Sequence, residues 1–98
     1  MTSVWTHGTW VVEPGQEDAF VAAWTKLARD ATARFETTRP TLLRDRARPN
    51  VFQTFGPWPS LEAVEEFRAS ELFRQAVAET QPLLESFEPS TLDEIEWT

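Results

Sequence analysis

Side chains able to carry out acid–base, nucleophilic or metal chemistry are sparse in this sequence. It contains one His, His7, and no Cys, so no pattern for a thiolate nucleophile, a disulfide or an imidazole- or thiolate-based metal site is present. His7 lies in a predicted strand without a nucleophile elbow, which favours a hydrogen-bonded interface residue over a general base. The three glycines are isolated, which excludes a glycine-rich phosphate loop. We therefore predict no metal site.

The stretch FGPWPS, residues 55–60, places Trp58 between two prolines. Pro59 biases Trp58 towards an extended backbone, and Ser60 is suited to cap a following helix. The sequence thus predicts an indole held firmly where a strand gives way to a helix. That indole is either a structural plug or the wall of a binding site, and the pattern fits both.

Aromatic residues are plentiful, with five Trp and seven Phe in 98 residues. Six of them are expected to point into the space between helices and sheet: Trp10, Trp24, Phe52, Trp58, Phe67 and Phe73. They predict either a core of large side chains or a pocket for a flat, apolar ligand.

The elements that position these residues follow from hydrophobic periodicity. Residues 4–12 form a strand by composition, and a helical stripe follows: Phe20, Trp24, Leu27, Ala31 and Phe35. Two β-rich runs flank Arg48-Pro49-Asn50 and predict a hairpin. Two helical segments begin at Ser60 and Ser70, with inner faces of Leu61, Val64 and Phe67 and of Leu72, Phe73, Ala76 and Val77. Pro82 should kink or end the second segment, and STLDEIEW, residues 90–97, should form the last strand.

This β-α-β-β-α-β order predicts a single domain, residues 1–98, with the ferredoxin-like α+β fold. Right-handed crossovers give a four-stranded antiparallel sheet in the order 4-1-3-2 with the helices on one face. The other face is apolar as well, through Trp5, His7, Val11, Val51 and Phe55. Because such a patch rarely stays exposed, a homodimer packed sheet to sheet is expected.

The net charge of −7 opposes nucleic-acid binding. No apolar run approaches bilayer length and no signal peptide is visible, so we expect a cytoplasmic protein without membrane contact. Seven of the nine cations lie between Lys26 and Arg48. This asymmetry predicts either two solvated faces of opposite sign or a self-complementary contact between subunits.

Two stretches, WVVEPGQEDAFVAAW and LLRDRARPNVFQTFGPWPSLEAVEEFRASELF, resemble the antibiotic biosynthesis monooxygenase-like family of dimeric α+β barrels. The likeness covers nearly the whole chain. Its most distinctive parts are the Pro14-Gly15 turn, the Leu42-Leu43-Arg44 strand and the junction from Trp58 to Ser60. The resemblance implies the same fold and dimer, and a range of activities. Some members oxidise aromatic polyketides with molecular oxygen and no metal or flavin, and others bind and degrade haem.

The resemblance also implies roles for individual positions. Trp58 matches the junction tryptophan shared across the family. Where the polyketide oxidases have an Asn and a Tyr, this chain has Thr54 and, nearby, Val64. The Asn, Trp and axial His of the haem degraders fall near Gly8, Phe67 and Val77, which argues against haem degradation.

We therefore predict a cofactor-independent monooxygenase that oxidises a reduced aromatic molecule such as an anthrone, hydroquinone or polyketide. Trp58 and Thr54 are its predicted catalytic residues. The predicted substrate pocket consists of Trp10, Trp24, Phe52, Phe67, Phe73 and Arg44. The alternative is a non-catalytic dimeric module of the same fold, which binds a small apolar ligand or completes a larger assembly. Catalysis itself is left open by the sequence.

Overall fold

The computed structural model describes residues 3–35, 37 and 39–97. The elements are β1 (Val4–Val12), α1 (Glu17–Arg34), β2 (Thr41–Arg44), β3 (Val51–Trp58), α2 (Leu61–Arg68), α3 (Glu71–Thr80) and β4 (Leu84–Asp93). The strands form one antiparallel sheet in the order β2-β3-β1-β4. This is the predicted ferredoxin-like α+β fold with the predicted strand order.

The two short helices begin at serine caps. Ser60 Oγ accepts a hydrogen bond from the Ala63 N–H at 3.1 Å, and Ser70 Oγ accepts one from the Phe73 N–H at 3.2 Å. Both predicted caps are confirmed, and each satisfies a helix N–H that has no partner within the helix. As predicted, α3 ends before Pro82, which lies in a 3-10 turn. None of the helices in the described residues is long and apolar enough to cross a bilayer.

The inner face of the sheet packs against the helices in two clusters of buried side chains. One cluster joins Trp10, Val12 and Phe52 to Phe20 at the start of α1. The other joins Trp58 at the end of β3 to Ala31, Val64 and Phe67. The core therefore has two centres, one at each end of the central strands, with space between them.

The outer face carries the residues of opposite parity, because adjacent residues of a strand point to opposite faces. Trp5, His7, Val11 and Phe55 are half-buried there, whereas Val51 beside the hairpin turn is buried within the chain. None of the described helices covers this face. The structure thus places the five residues of the predicted dimer face on one side of the sheet, and the dimer itself stays a prediction.

Two boundaries differ from expectation. The last strand begins at Leu84 and ends at Asp93, rather than spanning residues 90–97. Pro89 is tolerated inside it because β4 is an edge strand that pairs with β1 alone. Leu61, predicted to face inward, is 51 % exposed, because the inner face of α2 is filled by Val64 and Phe67.

Candidate functional site

A cavity of about 80 Å³ lies between the sheet and the helices, in the space between the two core clusters. Its floor comes from β1 and β3, and its walls come from all three helices. The aromatic side chains that line it include Trp10, Trp24, Trp58, Phe67, Phe73 and Phe87. A flat, apolar group is the kind of ligand that such a lining accommodates.

The floor is built from a five-residue pattern that occurs twice. Residues 6–10, THGTW, and residues 54–58, TFGPW, both read Thr-x-Gly-x-Trp. The two copies lie antiparallel on β1 and β3, with Thr6 paired to Gly56 and Gly8 paired to Thr54. Each threonine therefore lies opposite a glycine of the other strand. The tryptophan two residues after that glycine lies next to the same threonine.

Each tryptophan is hydrogen-bonded to the threonine of the other copy. The Trp10 indole N–H donates to Thr54 Oγ1 at 3.0 Å, and the Trp58 indole N–H donates to Thr6 Oγ1 at 3.2 Å. Both indoles are buried, at 5 % and 4 % exposure, so both N–H groups need such a partner. Trp58 is thus at once part of the core and part of the cavity wall.

The glycines leave room for these bonds. A Cβ on Gly8 would lie 2.7 Å from Trp10 Nε1 and 2.8 Å from Thr54 Oγ1, closer than real Cβ contacts come. A Cβ on Gly56 would lie 2.9 Å from Thr6 Oγ1. Side chains at either position would displace the hydroxyls, so the floor requires glycine in both copies.

The two threonine hydroxyls differ in how they use their hydrogen. Thr6 donates to the Gly56 carbonyl at 3.3 Å, whereas Thr54 has no acceptor among the described residues. A hydroxyl that accepts one hydrogen bond is polarised and becomes a better donor. Thr54 lines the cavity, so its O–H is available to an oxygen atom of a ligand.

Arg68, the last residue of α2, also lines the cavity. Its guanidinium donates to Thr91 Oγ1 at 2.6 Å and to the Ser90 carbonyl at 2.9 Å, which fixes it against β4. No carboxylate of the described residues pairs with it. Burial lowers the pKa of Arg68, yet an arginine stays protonated in proteins. The cavity therefore has a fixed positive charge at its edge.

Most of the predicted pocket residues lie together. Trp58, Thr54, Trp10, Trp24, Phe67 and Phe73 all line the cavity. Phe52 and Arg44 are not among its lining residues. Phe52 is only 2 % exposed and packs on the Phe20 ring with centroids 5.0 Å apart, and the exposed Arg44 guanidinium stacks 4.8 Å from the centre of the Phe52 ring.

Phe87 and Arg68 were not predicted as lining residues, and Thr6 was not predicted as the hydrogen-bond partner of Trp58. The doubled Thr-x-Gly-x-Trp pattern would have indicated Thr6, since antiparallel pairing of the two copies brings it beside Trp58. Phe87 was missed because the last strand was predicted to begin at residue 90. No comparable signal identifies Arg68, which follows the inward-facing Phe67 on a helix rich in charged residues.

His7 is among the residues that line the cavity, but its ring is turned to the outer face of the sheet. Its Nδ1 is 3.0 Å from Ser90 Oγ and its Nε2 is 2.8 Å from Gln53 Oε1, with the Phe55 ring 4.8 Å away. The predicted hydrogen-bonded histidine is confirmed, whereas its place in an interface stays a prediction. In the described residues, no three His, Asp or Glu side chains are grouped to hold a metal ion.

A wider groove of about 850 Å³ lies between α1 and β2 and adjoins the cavity. Three residues line both spaces, namely Trp24, Ala28 and Pro40. Among the described residues that line the groove, Arg29 and Arg39 are the charged ones. A ligand larger than the cavity could therefore extend into this groove.

An antiparallel sheet with one helical layer and a cavity between them defines a ferredoxin-like α+β protein with a small, aromatic-lined site. The family model for antibiotic biosynthesis monooxygenases matches residues 4–79. The chain therefore belongs to the antibiotic biosynthesis monooxygenase family.

Solved structures with the same fold include a mutant of SnoaB, a cofactor-independent oxygenase from Streptomyces nogalater, with a TM-score of 0.88 and 19 % identity over 97 % of this chain and 95 % of that one. A provisionally assigned antibiotic biosynthesis monooxygenase from Caulobacter crescentus has a TM-score of 0.88 and 20 % identity over 97 % and 92 %. A Pseudomonas aeruginosa protein has a TM-score of 0.84 and 20 % identity over 98 % and 97 %. A comparison with curated proteins gave no match.

Proposed function

We propose that this protein is a cofactor-independent oxygenase that oxidises a reduced aromatic small molecule in the cavity. The observation that carries the proposal is the Thr54 hydroxyl, whose hydrogen has no acceptor in the described residues and which lies among aromatic side chains. Family membership and the similarity to SnoaB, described as a cofactor-independent oxygenase, support it.

The chemistry needs a substrate that becomes electron-rich on losing a proton. An anthrone loses a proton from its ring CH2 group to give an enolate, which passes one electron to O2. The resulting radical pair joins as a peroxide anion, which takes up a proton from solvent to become a hydroperoxide. The hydroperoxide then loses water. In balance, CH2 and O2 become C=O and H2O, and one oxygen atom stays in the product.

The protein's part is to stabilise the substrate oxyanion and to exclude water. The Thr54 hydroxyl and the Arg68 guanidinium are donors suited to that oxygen. Among the described lining residues no carboxylate is present, and the His7 imidazole points to the other face of the sheet. The substrate proton therefore leaves to solvent, and the positive charge of Arg68 favours its loss. Trp58, whose N–H is bound to Thr6, acts as a wall rather than as a donor.

The cavity volume favours a second candidate as well. About 80 Å³ is less than the 300–1,000 Å³ usual for ligand sites, so a three-ring substrate must also occupy the groove or move the walls. A non-catalytic module that binds a smaller apolar ligand needs neither. This second candidate uses the same cavity and differs in the absence of oxygen consumption.

We also propose the homodimer through the outer face of the sheet. Leu43 and Leu92 on that face are 51 % and 41 % exposed, and beyond β4 Ile95 and Trp97 are 73 % and 88 % exposed. An apolar surface of this extent is usually covered by a partner, and a second copy related by a two-fold axis presents the same surface.

Oxygen uptake by purified, metal-stripped protein with anthrone tests the oxygenase proposal. Uptake above the rate without protein, with anthraquinone formed in equal amount to the oxygen consumed, supports it. Protein that is folded and binds anthrone without raising oxygen uptake would instead support the binding module.

A further inference from the structure

We infer that the groove between α1 and β2 is a subsite for a carboxylate on the ring system of the ligand. The inference rests on the proposed function in one respect, namely that the aromatic part of the ligand occupies the cavity. It adds the chemical class of the ligand, which is an aromatic acid rather than a neutral aromatic.

The cavity and the groove adjoin each other, and Trp24, Ala28 and Pro40 line both. The cavity holds about 80 Å³ and the groove about 850 Å³, so the larger part of an extended ligand has to lie in the groove. The residues that line the groove therefore determine which substituents the ligand can carry.

The groove carries positive charge. Arg29 and Arg39 line it, and none of its described lining residues is acidic. Neither arginine forms an ion pair within residues 3–35, 37 and 39–97. The whole chain has 16 acidic and 9 basic side chains, so the described lining of the groove, with two arginines and no acid, is opposite in sign to the protein.

The groove is also lined by threonine hydroxyls. The hydroxyls of Thr25 and Thr32 donate to the carbonyls of Val21 and Ala28 within α1, both at 2.7 Å. Their hydrogens are thus committed to the helix backbone. The two arginines and the Thr41 hydroxyl remain as donors, and the guanidinium groups match a carboxylate through paired N–H groups.

The apolar residues that line the groove determine the chemical nature of the rest of the ligand. Trp24, Ala33, Pro40 and Leu42 offer flat or aliphatic surface beside the two cations. A ligand with a ring system and a single anionic substituent matches both features. A small inorganic anion would use the arginines alone and leave the aromatic cavity empty.

The test compares the binding of naphthoate and of naphthalenemethanol, its neutral isostere, by calorimetry. We expect the wild-type protein to bind naphthoate about three- to tenfold more tightly, because two solvent-exposed charge pairs contribute modestly. Raising the salt concentration should reduce the preference, since exposed charges are screened. The double variant Arg29→Gln/Arg39→Gln should bind both compounds equally, whereas Arg46→Gln, an exposed arginine outside the groove, should keep the preference.

The outcomes separate this inference from the proposed function. Equal binding of both compounds by the wild type, a preference that survives in the double variant, or no binding of either compound would overturn the subsite. Calorimetry needs no turnover, so a preference lost in the double variant supports the subsite even if anthrone gives no oxygen uptake. Uptake without any preference would leave the oxygenase standing and reject the subsite.

Discussion

The Trp10 indole N–H donates to the Thr54 hydroxyl across β1 and β3, with Nε1 and Oγ1 3.0 Å apart. This bond satisfies a buried indole and leaves the Thr54 hydroxyl hydrogen without an acceptor among the described residues. Its counterpart, between Trp58 and Thr6, satisfies the other indole, but the Thr6 hydrogen goes to a backbone carbonyl. Both bonds therefore stabilise the fold, but only the bond between Trp10 and Thr54 leaves a hydroxyl hydrogen available for the proposed chemistry.

Thr54→Val should lower both stability and activity. It keeps the side-chain shape but leaves the Trp10 N–H without an acceptor, which costs about 1–3 kcal/mol in the free energy of unfolding. It also removes the proposed donor to the substrate, so anthrone oxidation should fall about 10²-fold. Urea unfolding and oxygen uptake measure the two effects.

Thr6→Val is the matched control, because it leaves the Trp58 N–H without an acceptor, just as Thr54→Val does for the Trp10 N–H. We expect a similar loss of stability and an oxidation rate close to that of the wild type. Equal losses of activity in the two variants would show that only the packing of the floor matters, and would remove Thr54 from the proposed mechanism.

Gly8→Ala should destabilise the protein more than Gly56→Ala. The new Cβ at Gly8 meets three groups within 2.9 Å, on Trp10, Thr54 and Phe87, whereas at Gly56 the one such contact is to Thr6 Oγ1. Overpacking of this kind costs about 1–3 kcal/mol, and the Gly8 variant should lie at the upper end. Thermal unfolding compares the two, and the reverse order would contradict the geometry of the floor.

Arg68→Gln should slow oxidation by roughly 10- to 100-fold if the guanidinium stabilises the substrate oxyanion. Arg68→Lys keeps the charge and should recover part of the rate. Arg74→Gln is the control, since Arg74 is an exposed arginine paired with Glu71 on α3. Affinity for neutral naphthalenemethanol should stay unchanged in all three variants. A rate that depends on Arg74 as much as on Arg68 would argue against the oxyanion role.

Leu43→Glu should convert the proposed homodimer to a monomer, whereas Leu61→Glu should not. Both leucines are 51 % exposed, so the substitutions disturb a single chain to a similar degree. Leu43 lies on the outer face of the sheet opposite Gln53, and Leu61 lies on α2. Sedimentation velocity distinguishes the outcomes. Two dimeric variants, or a monomeric wild type, would contradict sheet-to-sheet association.

The hairpin turn should lose stability at low pH through Asp45. Hydrogen bonds from Arg48, through its backbone and then its side chain, and from the Ala47 N–H hold the pKa of Asp45 below its ordinary value of 3.8. A lowered carboxyl pKa stabilises the folded state above the unfolded value, and this contribution disappears as the pH falls through the folded value. Asp45→Asn should therefore be less stable than the wild type at pH 7 and equally stable in strong acid. Unfolding curves at several pH values test this. A difference in stability between the two proteins that is independent of pH would show that the charge of Asp45 is not its cause.

The order of strands, the two faces of the sheet and most of the cavity lining could be predicted from periodicity. Alternation along β1 and β3 separates Trp10 and Trp58 from Trp5 and Phe55, and the helical stripe places Trp24 over the sheet. Tertiary context decided the rest. Phe52 has the parity of a pocket residue but fills the core against Phe20, because it lies at the end of the sheet where α1 begins.

Arg44 and Arg68 show why charged site residues are harder to predict. Arg44 lies in a strand of the family pattern, yet its guanidinium stacks on Phe52 outside the cavity. Arg68 gains its place through bonds to β4. Those bonds depend on where the last strand begins, and the hydrophobic pattern of residues 84–93 did not indicate it.

The doubled Thr-x-Gly-x-Trp floor restricts how the ligand range of this protein can change. Its two indole–hydroxyl bonds fix the register of β1 against β3, because a slip of one residue would turn every side chain to the opposite face. Substitutions in the floor thus act on the pairing of the central strands before they act on a ligand. The walls do not fix the register of the strands, because Trp24, Leu27 and Phe73 project from helices and are only half-buried. Directed evolution towards larger or differently shaped aromatics should therefore accumulate its changes on the helices and leave the two central strands as they are.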